Sequence, residues 1–151
     1  MPETNVAGVP GELPAVAVSG RELVMLDVSE ITPDDGNPRM HSAEQIDALR
    51  KSLREFGFVR PLLIRRDGGL ICGHAVLEAA RAEGMEHVPC VYADGLTQAQ
   101  LRAYLIADNR LTEMSHFSRA LLSERLAELK AADIDLSAMG FDFAKLAELG
   151  L

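Results

Sequence analysis

The chain has 151 residues, 48% of them hydrophobic and 25% charged, as is usual for a soluble globular protein. At this length it can bury a core without metal ions or disulfides, and its two cysteines, Cys72 and Cys90, are too few for a disulfide scaffold. No apolar run approaches the ~18 residues of a membrane-spanning helix, and the N-terminus lacks the pattern of a secretory signal. We therefore expect a cytoplasmic protein with no membrane partner.

The net charge of -8 is distributed unevenly along the chain. Residues 1–36 carry seven acids and one base, residues 37–66 three acids and seven bases, and residues 67–151 thirteen acids and seven bases. The middle segment therefore carries +4 in an acidic chain. Its bases either form a solvated face or attract phosphates, because the local potential rather than the net charge governs anion binding. The second alternative predicts weak, sequence-independent DNA binding through Arg50, Lys51, Arg54, Arg60, Arg65 and Arg66.

Turn residues and apolar spacing predict an arm, a strand, a loop and a helix in the first part of the chain. Residues 1–20 are rich in Pro, Gly and small side chains and predict a disordered arm, whereas partial alternation over 21–28 predicts a strand. Residues 32–38 have the composition of a loop. Ser42 and Gln45 form a capping-box pattern that predicts a helix start, and Gly57 predicts a left-handed end. The apolar face of this helix is formed by Ile46, Leu49, Leu53 and Phe56.

The middle of the chain has the pattern of a hairpin, a helix and a strand. Residues 62–64 and 70–72 are short apolar runs joined by an Asp-Gly-Gly turn, which predicts paired strands. Gly73 then precedes a predicted helix from His74 to about Glu83, which Gly84 closes. Residues 87–92 are typical of a further strand.

The last third of the chain is predicted to be helical. Thr97 and Gln100 form a second capping box, which opens a helix to about Arg110 with the apolar residues Leu101, Leu105 and Ile106. Ser118 begins another helix, whose inner stripe is Leu122, Leu126 and Leu129, and a last short helix after Gly140 contains Phe143, Leu146 and Leu149. The order predicts an α/β fold, with a domain over residues 21–115 and a helical extension over 116–151 packed on it.

Two polar segments are candidate binding sites. At the predicted strand-to-helix junction, Gly73 lets the first backbone N–H groups of a helix point at an anion, and His74 is able to donate to phosphate. Near the end of a later helix, Asp108, Asn109 and Arg110 combine oxygen ligands for a divalent cation with a guanidinium for phosphate. The structural alternatives are a tight connector at the first segment and a solvated helix terminus at the second.

Other kinds of site lack their sequence patterns. The histidines at 41, 74, 87 and 116 show none of the spacings of a zinc site, and the chain has neither a Walker loop nor a nucleophile elbow. Cys72 and Cys90 lie on or next to predicted strands and are expected to be reduced core thiols. A reactive Cys72 would need its thiol pKa lowered by the adjacent helix N-terminus. Arg39, at the tip of the loop before the first helix, is a further basic candidate.

Taken in order, these segments resemble the N-terminal domain of ParB, in the ParB/sulfiredoxin superfamily. The resemblance covers about residues 22–149 and is greatest to the ParB-like domains of phages and of DNA-modification methyltransferases. It implies a ParB/sulfiredoxin-like fold, a small mixed sheet with flanking helices and a helical C-terminal half. The matching motifs are Asn37-Pro38-Arg39, a helix over 42–58 that ends in Phe-Gly-Phe, Pro61-Leu62-Leu63-Ile64, Ile71-Cys72-Gly73-His74 and Ala107-Asp108-Asn109-Arg110-Leu111.

The resemblance implies a pocket for CTP or another nucleoside triphosphate with Mg²⁺. By position, Asn109 and Asp108 would hold the metal. The turn departs from the family pattern because Ala75 and Val76 stand where an arginine is usual, and valine cannot make charge-assisted bonds to phosphate. Sulfiredoxin chemistry is not expected, since His74 holds the position of that branch's cysteine. The implied nucleotide-binding residues are Gly73, His74, Ala75, Asn109, Arg110 and Arg39.

Three functions are compatible with this resemblance. The first is a non-catalytic nucleotide-binding or regulatory module of DNA transactions, in a partition-like or DNA-modification context. The second is a nucleotide hydrolase or nuclease of the same fold, with Asp108 and Glu113 as its acids. The third is a degenerate scaffold that docks a DNA methyltransferase or a phage protein, which the missing turn arginine favours. A homodimer is compatible with each, and the length leads us to expect less than a complete partition protein.

Overall fold

A computed structural model describes residues 21–151, and the arm predicted over 1–20 lies outside the described residues. The order of elements follows the sequence prediction of strand, helix, hairpin, helix, strand and a helical C-terminal part. Within the described residues the strands are β1 (Leu23–Asp27), β2 (Leu62–Ile64), β3 (Leu70–Cys72) and β4 (His87–Tyr92). The α-helices are α1 (Ala43–Phe56), α2 (His74–Ala82), α3 (Gln98–Glu113), α4 (Arg119–Ala131) and α5 (Phe143–Glu148), with 3-10 helices at Val28–Glu30 and Leu136–Met139.

The strands form one mixed sheet in the order β1-β4-β2-β3. β4 pairs antiparallel with β1 and parallel with β2, and the predicted hairpin of β2 and β3 forms with a register shift at Leu63 and Ile64. Leu23, Val91 and Leu63 are in register across three strands, so their side chains share one face of the sheet. The α1 and α2 helices pack against each other, and α3 contacts β3.

The core lies mainly between α2 and one face of the sheet. Its fully buried side chains include Leu62, Ile64, Leu77, Val88 and Cys90, and Leu53 of α1 packs against them. A second cluster of Ile46, Ala75 and Ala79 joins α1 to α2, and a third of Ile71, Ala93 and Leu101 lies under the start of α3. Burial of these apolar side chains is the dominant favourable contribution to folding.

Helix ends follow the predicted patterns with two corrections. The Thr97–Gln100 capping box is complete. At Ser42 only half of the predicted box is seen, because Oγ accepts from Gln45 N–H at 3.1 Å while the Gln45 side chain turns to His41 instead. Gly57 ends α1 with a positive φ of 72°, but its ψ of -166° lies outside the predicted left-handed helical conformation. Its N–H still closes the helix by donating to the Leu53 carbonyl.

Three predicted core positions are exposed. Phe56, Ile106 and Phe143 are 45%, 55% and 93% exposed, respectively. Leu101 and Leu105 form the buried face of α3, and Ile106 lies about 100° around the helix from Leu105, off that face. The helix also continues beyond the predicted end at Arg110, to Glu113. Phe143 starts the short helix α5, where Leu146 and Leu149 are the partly buried positions. Apolar spacing predicts a face but not whether another element covers it.

The C-terminal segment contacts the rest of the fold through the 3-10 helix Leu136–Met139. This turn packs against α1, and it buries Leu136 and Ala138. Leu126 of α4 is also buried. The division into a domain and a packed extension at residue 115 stays a prediction. No helix within residues 21–151 is long and apolar enough to cross a bilayer.

Candidate functional site

An open cavity of about 450 Å³ lies where α2 begins, between α3, the loop before α1 and the segment leading into β2. Leu62, Leu63 and Val91 contribute apolar surface to it. Its polar lining comes from residues far apart in the sequence: Arg21, Asn37, Arg39, His41, Gln45, Arg60, Cys72, Gly73, His74, Tyr104, Asp108 and Asn109. A concave site of this size with converging polar groups is the usual form of a small-molecule site.

The N-terminus of α2 presents backbone N–H groups at this cavity. Gly73 is its N-cap, with φ of 104° and ψ of 25°, and no side chain among residues 21–151 caps the helix. A Cβ at Gly73 would collide with the Leu62 side chain, so both the conformation and the space require glycine. The first N–H groups of a helix have no partner within it, and together with the helix dipole they favour an anion.

His74 holds the loop that covers the start of α2. Its Nε2 accepts a hydrogen bond from the Asp34 backbone N–H at 3.2 Å across forty residues of sequence. Burial lowers the pKa of His74, and nearby His41 lowers it further, while Asp34 opposes both. The ring is therefore neutral at pH 7 with its proton on Nδ1, and this histidine positions the loop as well as lining the cavity.

His41 is a residue that the sequence did not single out for binding. Its Nδ1 lies 3.0 Å from Gln45 Oε1, and its Nε2 is the one buried side-chain nitrogen or oxygen without a hydrogen-bond partner among residues 21–151. Buried polar atoms are nearly always paired in native proteins, so an unpaired nitrogen at a cavity wall marks a point that a ligand or water satisfies. No local sequence signal distinguishes this histidine, because its partner Gln45 was expected in a capping box.

Asp108 and Asn109 bring oxygen atoms to the wall formed by α3. Asn109 Nδ2 donates to the Leu105 carbonyl at 2.9 Å, so its Oδ1 faces away from that bond as an acceptor. Asp108 Oδ1 lies 3.6 Å from Arg60 Nη2. Carboxylate and amide oxygens suit Mg²⁺, which usually takes only one or two protein ligands together with substrate phosphates. Residues 21–151 contain no cluster of three or more His, Cys, Asp or Glu able to hold a metal.

Arg39 and Arg110 share one carboxylate. Arg39 Nη1 lies 2.5 Å from Glu113 Oε1, and Arg110 Nη1 lies 3.8 Å from Glu113 Oε2. Arg39 lines the main cavity, whereas Arg110 lines a shallower groove beside it, together with Arg39 and Asn109. The structure thus brings together the predicted site residues except Arg110, which lines the neighbouring groove.

The two residues that replace the expected turn arginine are apolar and largely covered. Ala75 is buried against Ile46 and Ala79, and Val76 is half-buried against the main core while also lining the cavity. Val76 therefore contacts both the core and the cavity, and the start of α2 offers backbone donors without a side-chain cation.

The lining of the cavity also includes a thiol and a phenol, those of Cys72 and Tyr104. Burial and Asp108 raise the pKa of Cys72 to about 11, and Arg60 opposes them. Burial and Asp108 also raise the pKa of Tyr104. Burial raises the pKa of Cys90 to about 11 as well. Both cysteines are free thiols, and Cys72 lacks the lowered pKa that a nucleophile needs.

Five of the six bases predicted to bind DNA face carboxylates, Arg60 through its separation of 3.6 Å from Asp108. Arg50 and Arg54 both reach Glu83, at 2.6 and 2.7 Å, and hold the pKa of its carboxyl down to about 2. Arg65 lies 3.0 Å from Asp67, and Arg66 lies 2.6 Å from Asp94 and over the Tyr92 ring. Lys51 is exposed on α1, and Arg60 lines the cavity. DNA binding through this set stays a prediction, with a positive potential that the acids reduce.

Comparison with known proteins gives one family. The family model of the ParB N-terminal domain matches residues 13–109. The ParB-like nuclease domain-containing protein YnaK of Escherichia coli K12 is 37% identical over 79 residues, which cover 52% of this chain and 91% of YnaK. Chromosome-partitioning protein Spo0J of Thermus thermophilus is 30% identical over 115 residues, 74% of this chain but only 43% of Spo0J.

Solved structures show the same fold. A C-terminally truncated ParB of Caulobacter crescentus complexed with CTP-gamma-S superposes with a TM-score of 0.67 at 18% identity, covering 85% of this chain and 76% of that one. The same protein complexed with its centromeric parS site gives a TM-score of 0.51, covering 84% and 70%. At such identity the likeness supports the fold, and it confirms the predicted fold class.

Proposed function

The chain belongs to the ParB N-terminal domain family, and on this premise we propose that it is a non-catalytic nucleotide-binding module that serves DNA transactions. The proposed ligand is a nucleoside triphosphate, with CTP first, because the Caulobacter crescentus relative binds the CTP analogue in its structure. The observation that carries the proposal is the meeting of Gly73, Arg39 and Asn109, from three separate segments, at one cavity.

In this proposal the N-terminus of α2 binds phosphate oxygens through its backbone. Gly73, in its left-handed conformation, lacks the Cβ that would collide with the Leu62 side chain, and so allows the turn to present its N–H groups at the cavity. His74 keeps the 34–37 loop over the site through its bond from Asp34 N–H, and its own Nδ1–H is a neutral donor. Arg39 lies at the edge of the cavity, where its guanidinium is paired with Glu113.

Asp108 and Asn109 are the proposed ligands of a Mg²⁺ ion bound with the nucleotide. The bond from Asn109 Nδ2 to the Leu105 carbonyl fixes which amide atom faces the site and leaves Oδ1 to coordinate. When bound, Mg²⁺ would neutralise part of the phosphate charge. The donor set present, one carboxylate and one amide oxygen, fits this partial coordination.

The biological setting is proposed from the relatives. Spo0J is a chromosome-partitioning protein, and the Caulobacter crescentus ParB structure contains its parS site. We place this chain in the cytoplasm, with weak DNA binding through its basic segment and a homodimer as its assembly. A DNA methyltransferase or a phage protein is the proposed protein partner.

A hydrolase or nuclease is the second candidate, which the name of YnaK and the acids Asp108 and Glu113 favour. Each of these carboxylates already faces an arginine, Asp108 facing Arg60 and Glu113 facing Arg39. A carboxylate must leave such a partner before it can hold an attacking water, so this pairing supports the non-catalytic proposal.

Titration calorimetry with CTP, UTP, ATP and GTP, each with and without Mg²⁺, tests the proposal. We expect CTP to bind most tightly and Mg²⁺ to strengthen binding, with no release of inorganic phosphate over hours. Phosphate release would identify a hydrolase. Absence of binding by all four nucleotides would leave the docking scaffold, which the apolar Val76 favours. Light scattering with and without CTP measures the proposed dimer.

A further inference from the structure

The start of α2 has no side-chain cation for a bound anion. Ala75 is buried against α1, and Val76 packs against the main core. Backbone N–H groups and the helix dipole carry only partial charges, equivalent to roughly half a unit at a helix end. A triphosphate carries several full charges, so a site built on this turn needs a guanidinium or ammonium from another segment.

Arg39 and Arg110 are poorly placed to meet this need. Glu113 lies 2.5 Å from the Arg39 guanidinium and also faces Arg110, which lines the neighbouring groove rather than the cavity. The bond between Arg39 and Glu113 must break before Arg39 can bind a ligand. Its loss offsets most of the free energy that the new bond would give.

Arg60 differs from both. It lines the cavity, and the separation of 3.6 Å from its Nη2 to Asp108 Oδ1 is longer than a hydrogen bond. Its side chain is 80% exposed, so the guanidinium is free to turn at little cost. Its backbone is constrained, because the following Pro61 restricts Arg60 to extended conformations and leads directly into β2.

The charge of Arg60 acts on ionisable side chains that line the cavity. Burial and Asp108 raise the pKa values of Cys72 and Tyr104, and Arg60 opposes both shifts, while Arg21 also opposes that of Tyr104. Cys72 and Tyr104 on the cavity wall thus lie close enough to Arg60 and Asp108 to interact with their charges. The guanidinium is therefore close to the ligand volume and to the carboxylate proposed for Mg²⁺.

We propose that Arg60 supplies the side-chain cation that the α2 turn lacks, by making a charge-assisted contact to the anionic group of the bound nucleotide. This inference rests on the proposed function and assigns Arg60 to the nucleotide rather than to the DNA surface. The ligand class is a nucleoside polyphosphate, whose oxygens accept the paired N–H donors of a guanidinium.

The test measures CTP affinity by calorimetry for the wild type, Arg60→Gln and Arg60→Lys, first without and then with Mg²⁺. We expect Arg60→Gln to weaken binding roughly 10- to 100-fold, the usual range for a lost hydrogen bond to a charged group. Arg60→Lys should keep part of the affinity, because it retains the charge but not the paired donors. The melting temperature should not change, since the side chain is exposed.

Arg125→Gln is the matched control, because it removes an exposed arginine paired with a carboxylate on α4. It should leave CTP affinity unchanged. If Arg60→Gln binds CTP as tightly as the wild type, or loses duplex DNA binding alone, the inference is wrong while the proposed function stands. If the wild type binds no nucleotide, both are wrong.

Discussion

Gly73→Ala tests whether the start of α2 requires glycine because its backbone packs directly against the Leu62 side chain. Gly73 has φ of 104°, in the left-handed region that favours glycine. The new Cβ would also meet the Leu62 side chain, which is itself 1% exposed and held in the core. The substitution therefore combines backbone strain with overpacking of a buried leucine.

The two contributions can be sized separately. A left-handed conformation costs an L-residue about 1–2 kcal/mol, and an extra methyl in a packed core typically costs about 1–3 kcal/mol. The lower entropy of the unfolded alanine chain returns about 0.4–1 kcal/mol. We expect a net loss of about 2–4 kcal/mol, which for a chain of this size lowers the melting temperature by about 5–15 °C.

Gly84→Ala is the matched control at the other end of the same helix. Gly84 has φ of 72°, and a Cβ added there would meet no atom of residues 21–151 within 4 Å beyond its chain neighbours, so only the strain contribution applies. Thermal unfolding by circular dichroism, with urea unfolding for the free energies, compares the variants. Equal losses for Gly73→Ala and Gly84→Ala would refute the importance of the Leu62 contact.

Three further predictions concern the site and its support. Asn109→Ala should weaken Mg²⁺-dependent CTP binding in calorimetry while lowering the free energy of unfolding by less than ~1 kcal/mol, and a large stability loss with unchanged affinity would make Asn109 structural. Val76→Arg should tighten CTP binding roughly 10- to 100-fold at some cost in melting temperature, because Val76 lines the cavity as well as the core, and destabilisation without tighter binding would refute the phosphate site. Arg54 and Arg50 lower the pKa of Glu83 from 4.5 to about 2. The contribution of the ionised Glu83 carboxylate to the free energy of unfolding is therefore present above pH 4.5 and is lost as the pH falls towards 2. Urea unfolding between these pH values should show a smaller loss of stability in Glu83→Gln than in the wild type, and equal pH dependence would show that Glu83 contributes nothing.

The order of elements was predictable because most segments carry their own local signals. Thr97 with Gln100 marks the start of α3, and the glycines around α2 mark both of its ends. The errors arise where a local pattern depends on the tertiary environment. Phe143 lies at a spacing that suits burial, but no element within residues 21–151 covers it, and Ile106 fails for the same reason.

The predicted site residues came from short motifs, whereas the additional ones depend on the fold. Gly73 and Asn109 stand in motifs that resemble a known family, and the structure brings them to one cavity. Arg60 faces that cavity because Pro61 fixes the entry to β2 and Leu63 pairs with Val91 in the sheet. His41 is positioned by the Gln45 side chain, which leaves the predicted capping box. Neither effect is visible in a linear pattern.

The basic segment, residues 37–66, shows that a net charge summed along the sequence overestimates the positive potential of the folded surface. Its +4 is the sum over residues 37–66, but folding brings acids of the following acidic segment, such as Glu83 and Asp94, onto Arg50, Arg54 and Arg66. An arginine in contact with a carboxylate produces little net potential at a DNA phosphate. These pairs therefore attract phosphates less than the segment's net charge of +4 suggests. Arg60 lines the cavity, and its separation of 3.6 Å from Asp108 is longer than the contacts of Arg50, Arg54 and Arg66, so its N–H donors remain available to an anion there. The anion-binding capacity of this segment is therefore expected to lie in the cavity, at Arg60, more than on the outer surface.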